Sequence, residues 1–185
     1  VRVVTHDHNR GNGAARTTGV KAARGKYILM MDADGTYPAE AIPRMLEEAK
    51  SAEMVIGART SEKGTLKALR SLAKDLIRWL ASYMTQTRIP DLNSGMRIMR
   101  RDLVPQFFGI LPTTHSWVST ITMAFLASGY TVTWIPITYY KRIGRSTFHP
   151  IRDTYNYLSL VVRTVMYFNP LRFFIPISVA LFLVG

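Results

Sequence analysis

The chain has 185 residues, enough for one domain with a sizeable buried core, and nothing in it marks a second. Its 24 Lys and Arg against 12 Asp and Glu give a formal net charge of +12, which favours an anionic partner such as phosphate, nucleic acid or an acidic membrane surface. Cysteine is absent, which excludes a disulfide framework and a thiolate metal site, so any metal must take oxygen or imidazole ligands.

The residues Val1 to Val4 read as a strand running into a loop, which predicts further chain upstream. A helix is expected from about Ala14 to Ala23, a strand over Tyr27 to Met31, an acidic turn, a helix to about Ala49 and a strand over Met54 to Ala58. Such alternation favours a parallel sheet with helices packed on it, and such sheets bind ligands beyond the carboxyl ends of their strands. Gly11 and Gly13 form a short G-x-G that either brings backbone amides to a phosphate or only caps the helix.

The segment MDADGTYP, Met31 to Pro38, delivers two carboxylates, Asp32 and Asp34, into a glycine turn at a strand's end. Residues two apart share a face of a strand, so both acids can approach one point. Hard divalent ions prefer oxygen ligands and often take one or two carboxylates plus substrate phosphates, which points to a diphosphate substrate. Asp and Gly are also ordinary turn residues, so the pair alone leaves a plain turn open.

Thr65 to Thr85 reads as an amphipathic helix, with Leu66, Leu69, Leu72, Leu76 and Leu80 on one stripe and Arg70 and Lys74 among the basic residues beside it. A short strand follows around Gly95 to Met99, then helices near Asp102 to Ile110 and Trp117 to Ser128, and an alternating strand over Thr131 to Thr138. Beyond it Pro150 can open a helix whose Ile151, Tyr155, Leu158, Val162 and Val165 recur at helical spacing beside basic residues. That pattern suits a helix lying on an anionic membrane, or one packed on its own domain. Phe173 to Val184 is an uncharged apolar run, shorter than the ~20 residues that span a bilayer; it reads as a buried terminal helix or as the start of a transmembrane one.

The stretch NRGNGAARTTGVKAARGKYILMMDADGTYP, Asn9 to Pro38, resembles the core of family 2 glycosyltransferases, in which an asparagine-glycine loop, a helix and a DxD strand come in this order. The segments IPDLNSGMRIMRRD, Ile89 to Asp102, and KRIGRSTFHPIRDTYNYL, Lys141 to Leu158, resemble its polyprenyl-phosphate branch, the dolichyl-phosphate mannose synthase-like enzymes. The resemblance implies an α/β, GT-A-like Rossmann-type mixed sheet flanked by helices. It divides the chain into a partial catalytic domain lacking its first strands (1–149), an amphipathic interface helix (150–170) and the start of a transmembrane helix (171–185).

It also implies roles. Asp32, Asp34 and Thr36 would form the site for Mg2+ or Mn2+, with Asp34 the more direct ligand and Thr36 standing where relatives often carry glutamine; Asp32 and Asp34, with Gly13 and Arg142, would bind the donor diphosphate. Arg59 matches an arginine associated with the phosphates, and Arg142 the basic residue of an R-x-x-G-x-S-K loop whose final lysine is here Thr147, with Arg145 able to supply the displaced charge. The acceptor phosphate would meet Arg59, Arg70, Lys74, Arg145 and Ser146; at net charge +12, each basic residue has simple solvation as its competing reading.

The implied reaction is an inverting transfer from a nucleotide diphosphate sugar to a polyprenyl phosphate. Asp91, Arg59 and Arg142 would be catalytic, at a membrane with the catalytic domain on its cytoplasmic face. A phosphate monoester with a second pKa near ~6 is already largely dianionic at neutral pH and needs no strong base. Asp91 would be a general base for a hydroxyl acceptor, and has an orienting or sugar-binding role beside a phosphate. The rival readings are a family 2 enzyme with a glycan hydroxyl acceptor and a non-catalytic basic membrane-binding module. Nucleic acid is disfavoured, because the basic residues follow an apolar helix and no nucleic-acid motif is present. A homo-oligomer is left open.

Overall fold

The computed structural model describes residues 2–60, 79, 81–83, 85–113, 116–140 and 170–184. The expected helices over Thr65 to Thr85 (for the most part) and Pro150 to Phe168 lie outside the described residues, as do Arg70, Lys74, Arg142, Arg145 and Ser146.

Four described strands form one sheet in the order β1 (Tyr27–Met30), β3 (Arg97–Arg100), β2 (Met54–Arg59), β4 (Val132–Ile137). The sheet is mixed, as the resemblance implies: β2 and β4 are parallel, as the βα alternation favours, while β3 inserts antiparallel between β1 and β2, pairing Met30 with Arg97 and Arg97 with Ile56. The physical reason is burial. β3 carries Arg97, Ile98 and Met99 with no exposed surface, so the central place between two apolar strands suits it better than an edge. The expected first strand is corrected, since Arg2 to Thr5 lie outside the described sheet, with Val3 and Val4 exposed. A strand exists only through its ladder partner, and none of the described strands pairs with this segment.

Strand alternation divides the core into two layers. Met54, Ile56 and Met99 turn toward α1 (Asn12–Ala22) and α3 (Trp117–Ala127), where they meet Val20, Trp117, Ile121 and Phe125. Val55, Ile98, Ile135 and Ile137 turn to the opposite face, against Met45 and Ala49 at α2 (Ile42–Glu48). The helix expected near Asp102 to Ile110 is two short 3-10 turns, Arg101–Leu103 and Pro105–Phe107, because Pro105 lacks the amide that would continue a helix. The apolar run after Pro170 is helical: α4 (Pro170–Val184) has 15 residues. Among the described residues no helix is long and apolar enough to cross a membrane.

Strands β1, β2 and β4 point the same way, so the turn after β1, Arg59 at the end of β2, and Tyr139 beyond β4 share one edge of the sheet. Antiparallel β3 enters from that same edge, bringing residues 91–96 to it.

Candidate active site

After β1 the chain turns through Gly35, whose φ of 75° lies in the left-handed region that glycine adopts without strain. This turn presents Asp32 and Asp34, both half-buried. Asp34 Oδ1 accepts hydrogen bonds from the Thr36 amide at 3.2 Å and the Thr36 hydroxyl at 2.6 Å. Thr36 is wholly buried, so in this structure it braces Asp34 from below. Asp32 Oδ1 accepts from Arg16 Nη2 at 2.8 Å, an ion pair between helix α1 and the turn.

Next to the turn stands a second charge pair. Arg59 donates from Nε and Nη2 to the two carboxylate oxygens of Asp91 at 2.7 and 2.9 Å, a bidentate fork between side chains that are 16% and 10% exposed. The Arg59 and Asn93 amides add bonds at 3.2 and 3.0 Å, and Trp134 Nε1 of β4 donates to the Asp91 main-chain carbonyl at 3.0 Å. Burial pushes the Asp91 carboxyl up, but the hydrogen bonds and charge of Arg59 outweigh it and leave the group below the ordinary aspartate value. Asp91 is therefore held ionised with both oxygens engaged. In this geometry it orients Arg59; it would have to break that fork to accept a proton from a substrate.

Tyr37 joins the two pairs. Its hydroxyl accepts from the Gly95 amide at 2.6 Å, its ring meets Tyr139 edge-on at 5.2 Å, and Tyr139 lies 5.4 Å from the Arg59 guanidinium. Burial raises the Tyr37 hydroxyl above its ordinary value, and Arg59 and Asp32 both act on it, which places the two charge pairs within one electrostatic neighbourhood. Gly95 closes the wall: a Cβ there would sit 2.5 Å from Asp32 Oδ2, so only glycine lets the chain pass the carboxylate this closely.

Of the residues read from sequence, Asp32, Asp34, Thr36, Arg59 and Asp91 converge on this edge. Gly13 is buried at the start of α1, where the Ala14 amide already donates to the Thr113 carbonyl at 3.0 Å. Sequence reasoning missed Arg16, Tyr37, Gly95 and Arg97. Arg97 carried the clearest signal, a charge inside the apolar run Met96 to Met99 of a strand buried on both faces. A cavity of about 520 Å³ between residues 2–11 and α1, lined by Arg2, His6, His8, Asn9, Arg10 and Thr18 among others, contains none of the carboxylates or of Arg59.

Among the described residues no group of three or more His, Cys, Asp or Glu could hold a metal. Two carboxylates at one turn nonetheless fit a divalent ion whose remaining ligands come from substrate phosphates.

A mixed sheet whose carboxyl edge gathers two acids and a buttressed arginine, with helices on both faces, is an α/β fold of the GT-A type. In fold it is similar to glucosyl-3-phosphoglycerate synthase from Mycobacterium tuberculosis in its complex with UDP (TM-score 0.62, 12% identity, covering 84% of this chain and 55% of that one). The glycosyl transferase family 2 pattern matches residues 1–108, and the chain belongs to that family. It is similar to a dolichyl-phosphate hexose transferase from Haloferax volcanii, 28% identical over 149 residues that cover 80% of this chain and 64% of the relative. It is also similar to an undecaprenyl-phosphate mannosyltransferase from Micrococcus luteus, 28% identical over 156 residues, covering 79% of this chain and 64% of the relative. The chain thus spans less than two thirds of the length of these relatives.

Proposed function

We propose that the protein is an inverting, metal-dependent glycosyltransferase that moves a sugar from a nucleotide diphosphate to a polyprenyl phosphate. The observation that carries this reading is the single sheet edge on which the Asp32–Asp34 turn stands beside the Asp91-buttressed Arg59. Similarity to relatives named for dolichyl- and undecaprenyl-phosphate transfer supports the acceptor class.

Asp34, braced by Thr36, and Asp32 would hold Mg2+ or Mn2+ with the donor diphosphate; when bound, the ion would neutralise charge on the leaving diphosphate. The same M. tuberculosis synthase has been crystallised with Mn2+ and UDP-glucose, a fact about that protein. Arg16 holds Asp32 on one oxygen and so sets where the carboxylate faces. Arg59, kept rigid by Asp91, places positive charge where an acceptor phosphate must approach a second polyanion, and the work of the site is charge neutralisation and alignment. A phosphate nucleophile arrives already ionised, which agrees with an Asp91 committed to Arg59. Arg142, Arg145, Ser146, Arg70 and Lys74 belong to this proposal as phosphate contacts from outside the described residues.

The polyprenyl chain would lie at a membrane, with the catalytic domain on the cytoplasmic face. The large side chains of α4 support this, since Leu171, Leu181, Phe182 and Leu183 are each more than 60% exposed. The full-length protein, given a panel of labelled nucleotide sugars with Mg2+ or Mn2+, should transfer label to a short polyprenyl phosphate. Absence of transfer from every nucleotide sugar in the panel, or equal transfer in the presence of excess EDTA, would contradict the reading.

A further inference from the structure

Arg97 is a guanidinium with no exposed surface, on the central strand β3, and among the described residues no carboxylate bonds it directly. Burying a cation without an adjacent anion is costly, and desolvation draws this one down to about 9. Aliphatic residues fill the equivalent positions on both neighbouring strands, Met30 and Ile56, so packing alone does not require an arginine here.

Its hydrogen bonds show what it holds. Nη1 donates to the Val118 carbonyl and the Thr122 hydroxyl of α3, each at 2.8 Å, which anchors the side chain in the helix layer. Nη2 donates to the carbonyl of Ser94. That carbonyl belongs to the same peptide group whose N–H, from Gly95, donates to Tyr37 Oη at 2.6 Å. One peptide plane is thereby gripped at both ends, by Arg97 on one side and Tyr37 on the other. This is the peptide whose glycine abuts the Asp32 carboxylate so closely that a Cβ would stand 2.5 Å from it.

We propose that Arg97 is a positioning residue: it clamps the Ser94–Gly95 peptide against Asp32 and so fixes the wall on which the donor-side carboxylates are set. It touches neither substrate nor metal and acts through the peptide. The functional half of this inference rests on the donor reading given above; the clamp itself does not.

The test uses the full-length protein and two measurements. Amide hydrogen exchange at Gly95 reads the clamp without any need for activity. Calorimetric titration with UDP and with GDP, each with Mn2+, reads its consequence. Arg97→Lys keeps a charge but cannot grip Ser94 and α3 together; it should speed Gly95 exchange and weaken nucleotide affinity by about 10-fold or more, the scale expected for groups that orient a ligand set. Thr122→Val loosens Arg97 from behind without touching the loop, and should move both readouts the same way by less, so the inference stays testable if the lysine variant folds poorly. Tyr37→Phe frees the other end of the peptide, and its effect on affinity should be non-additive with that of Arg97→Lys. Unchanged Gly95 exchange in both Arg97→Lys and Thr122→Val would overturn the clamp. Faster exchange with unchanged affinity, or strict additivity with Tyr37→Phe, would overturn the positioning role. A wild-type protein that binds neither nucleotide would instead count against the donor reading, while exchange still decides the clamp.

Discussion

Asp34 and Asp91 are both half-buried carboxylates, yet their surroundings give them different work. Asp34 accepts from the amide and hydroxyl of Thr36 on a turn at the sheet edge, whereas Asp91 is closed off by the Arg59 fork. Asp34→Ala should therefore abolish the manganese-dependent part of nucleotide diphosphate binding in the full-length protein, with little loss of melting temperature. Calorimetry with and without the ion checks this, and an unchanged ion dependence would refute it. Asp91→Asn should act first on stability, because it leaves a buried guanidinium facing a neutral amide, at a cost of about 3 kcal/mol near pH 7. The folded carboxyl lies below its ordinary value of 3.8, so its stabilisation is complete above that value and is lost as pH falls through the folded pKa. Urea unfolding between pH 7 and pH 3 should show the wild-type advantage over the variant constant at neutral pH and shrinking only at the acid end. Asp32 and Asp34 were legible in sequence because they stand in a glycine turn after an apolar strand, whereas Arg59 and Asp91 were reached through the family resemblance. Arg16 was not legible, because on a chain of net charge +12 an arginine reads as solvated and only tertiary contact shows it on Asp32; Arg97 was passed over for the same reason, although its place inside an apolar strand marks it as a core residue.

At the scale of elements, the decisive event is the insertion of β3. Periodicity revealed strands over Tyr27 to Met31, Met54 to Ala58, Gly95 to Met99 and Thr131 to Thr138, all within a residue or two of those observed. Pairing order was hidden, because a short apolar run has the same pattern whether its neighbours are parallel or antiparallel. It is the antiparallel choice that brings Asp91 and Gly95 to the edge where Asp32 and Arg59 already stand. The fit between β2 and β4 that holds this edge is close: a Cβ on Gly57 would lie 2.7 Å from Ile137 Cδ1 and 3.3 Å from both Cγ atoms. Gly57→Ala should therefore cost about 1–3 kcal/mol through forced repacking while the protein still folds. Denaturant midpoints measure it, and a neutral or stabilising result would mean that Ile137 gives way more freely than its burial suggests.

For the whole molecule, net charge and exposed apolar surface act together. A basic chain ending in a helix whose large side chains face outward is suited to an anionic membrane, and on the proposed function the full-length protein should stay with the membrane fraction through carbonate extraction. Release into the supernatant would contradict membrane insertion. The nature of the acceptor turns on whether the nucleophile arrives charged or must lose a proton. The direct measurement is transfer from a labelled nucleotide sugar to a short polyprenyl phosphate and to the matching polyprenol, by wild type, Arg59→Met and Asp91→Asn, at temperatures where all three are folded. Label is expected on the phosphate alone, with a loss of about 100-fold or more in Arg59→Met, where anionic oxygen is left uncompensated, and a smaller loss in Asp91→Asn. Label on the polyprenol and not on its phosphate, abolished in Asp91→Asn and indifferent to Arg59, would contradict a phosphate acceptor and leave a hydroxyl-acceptor enzyme in its place.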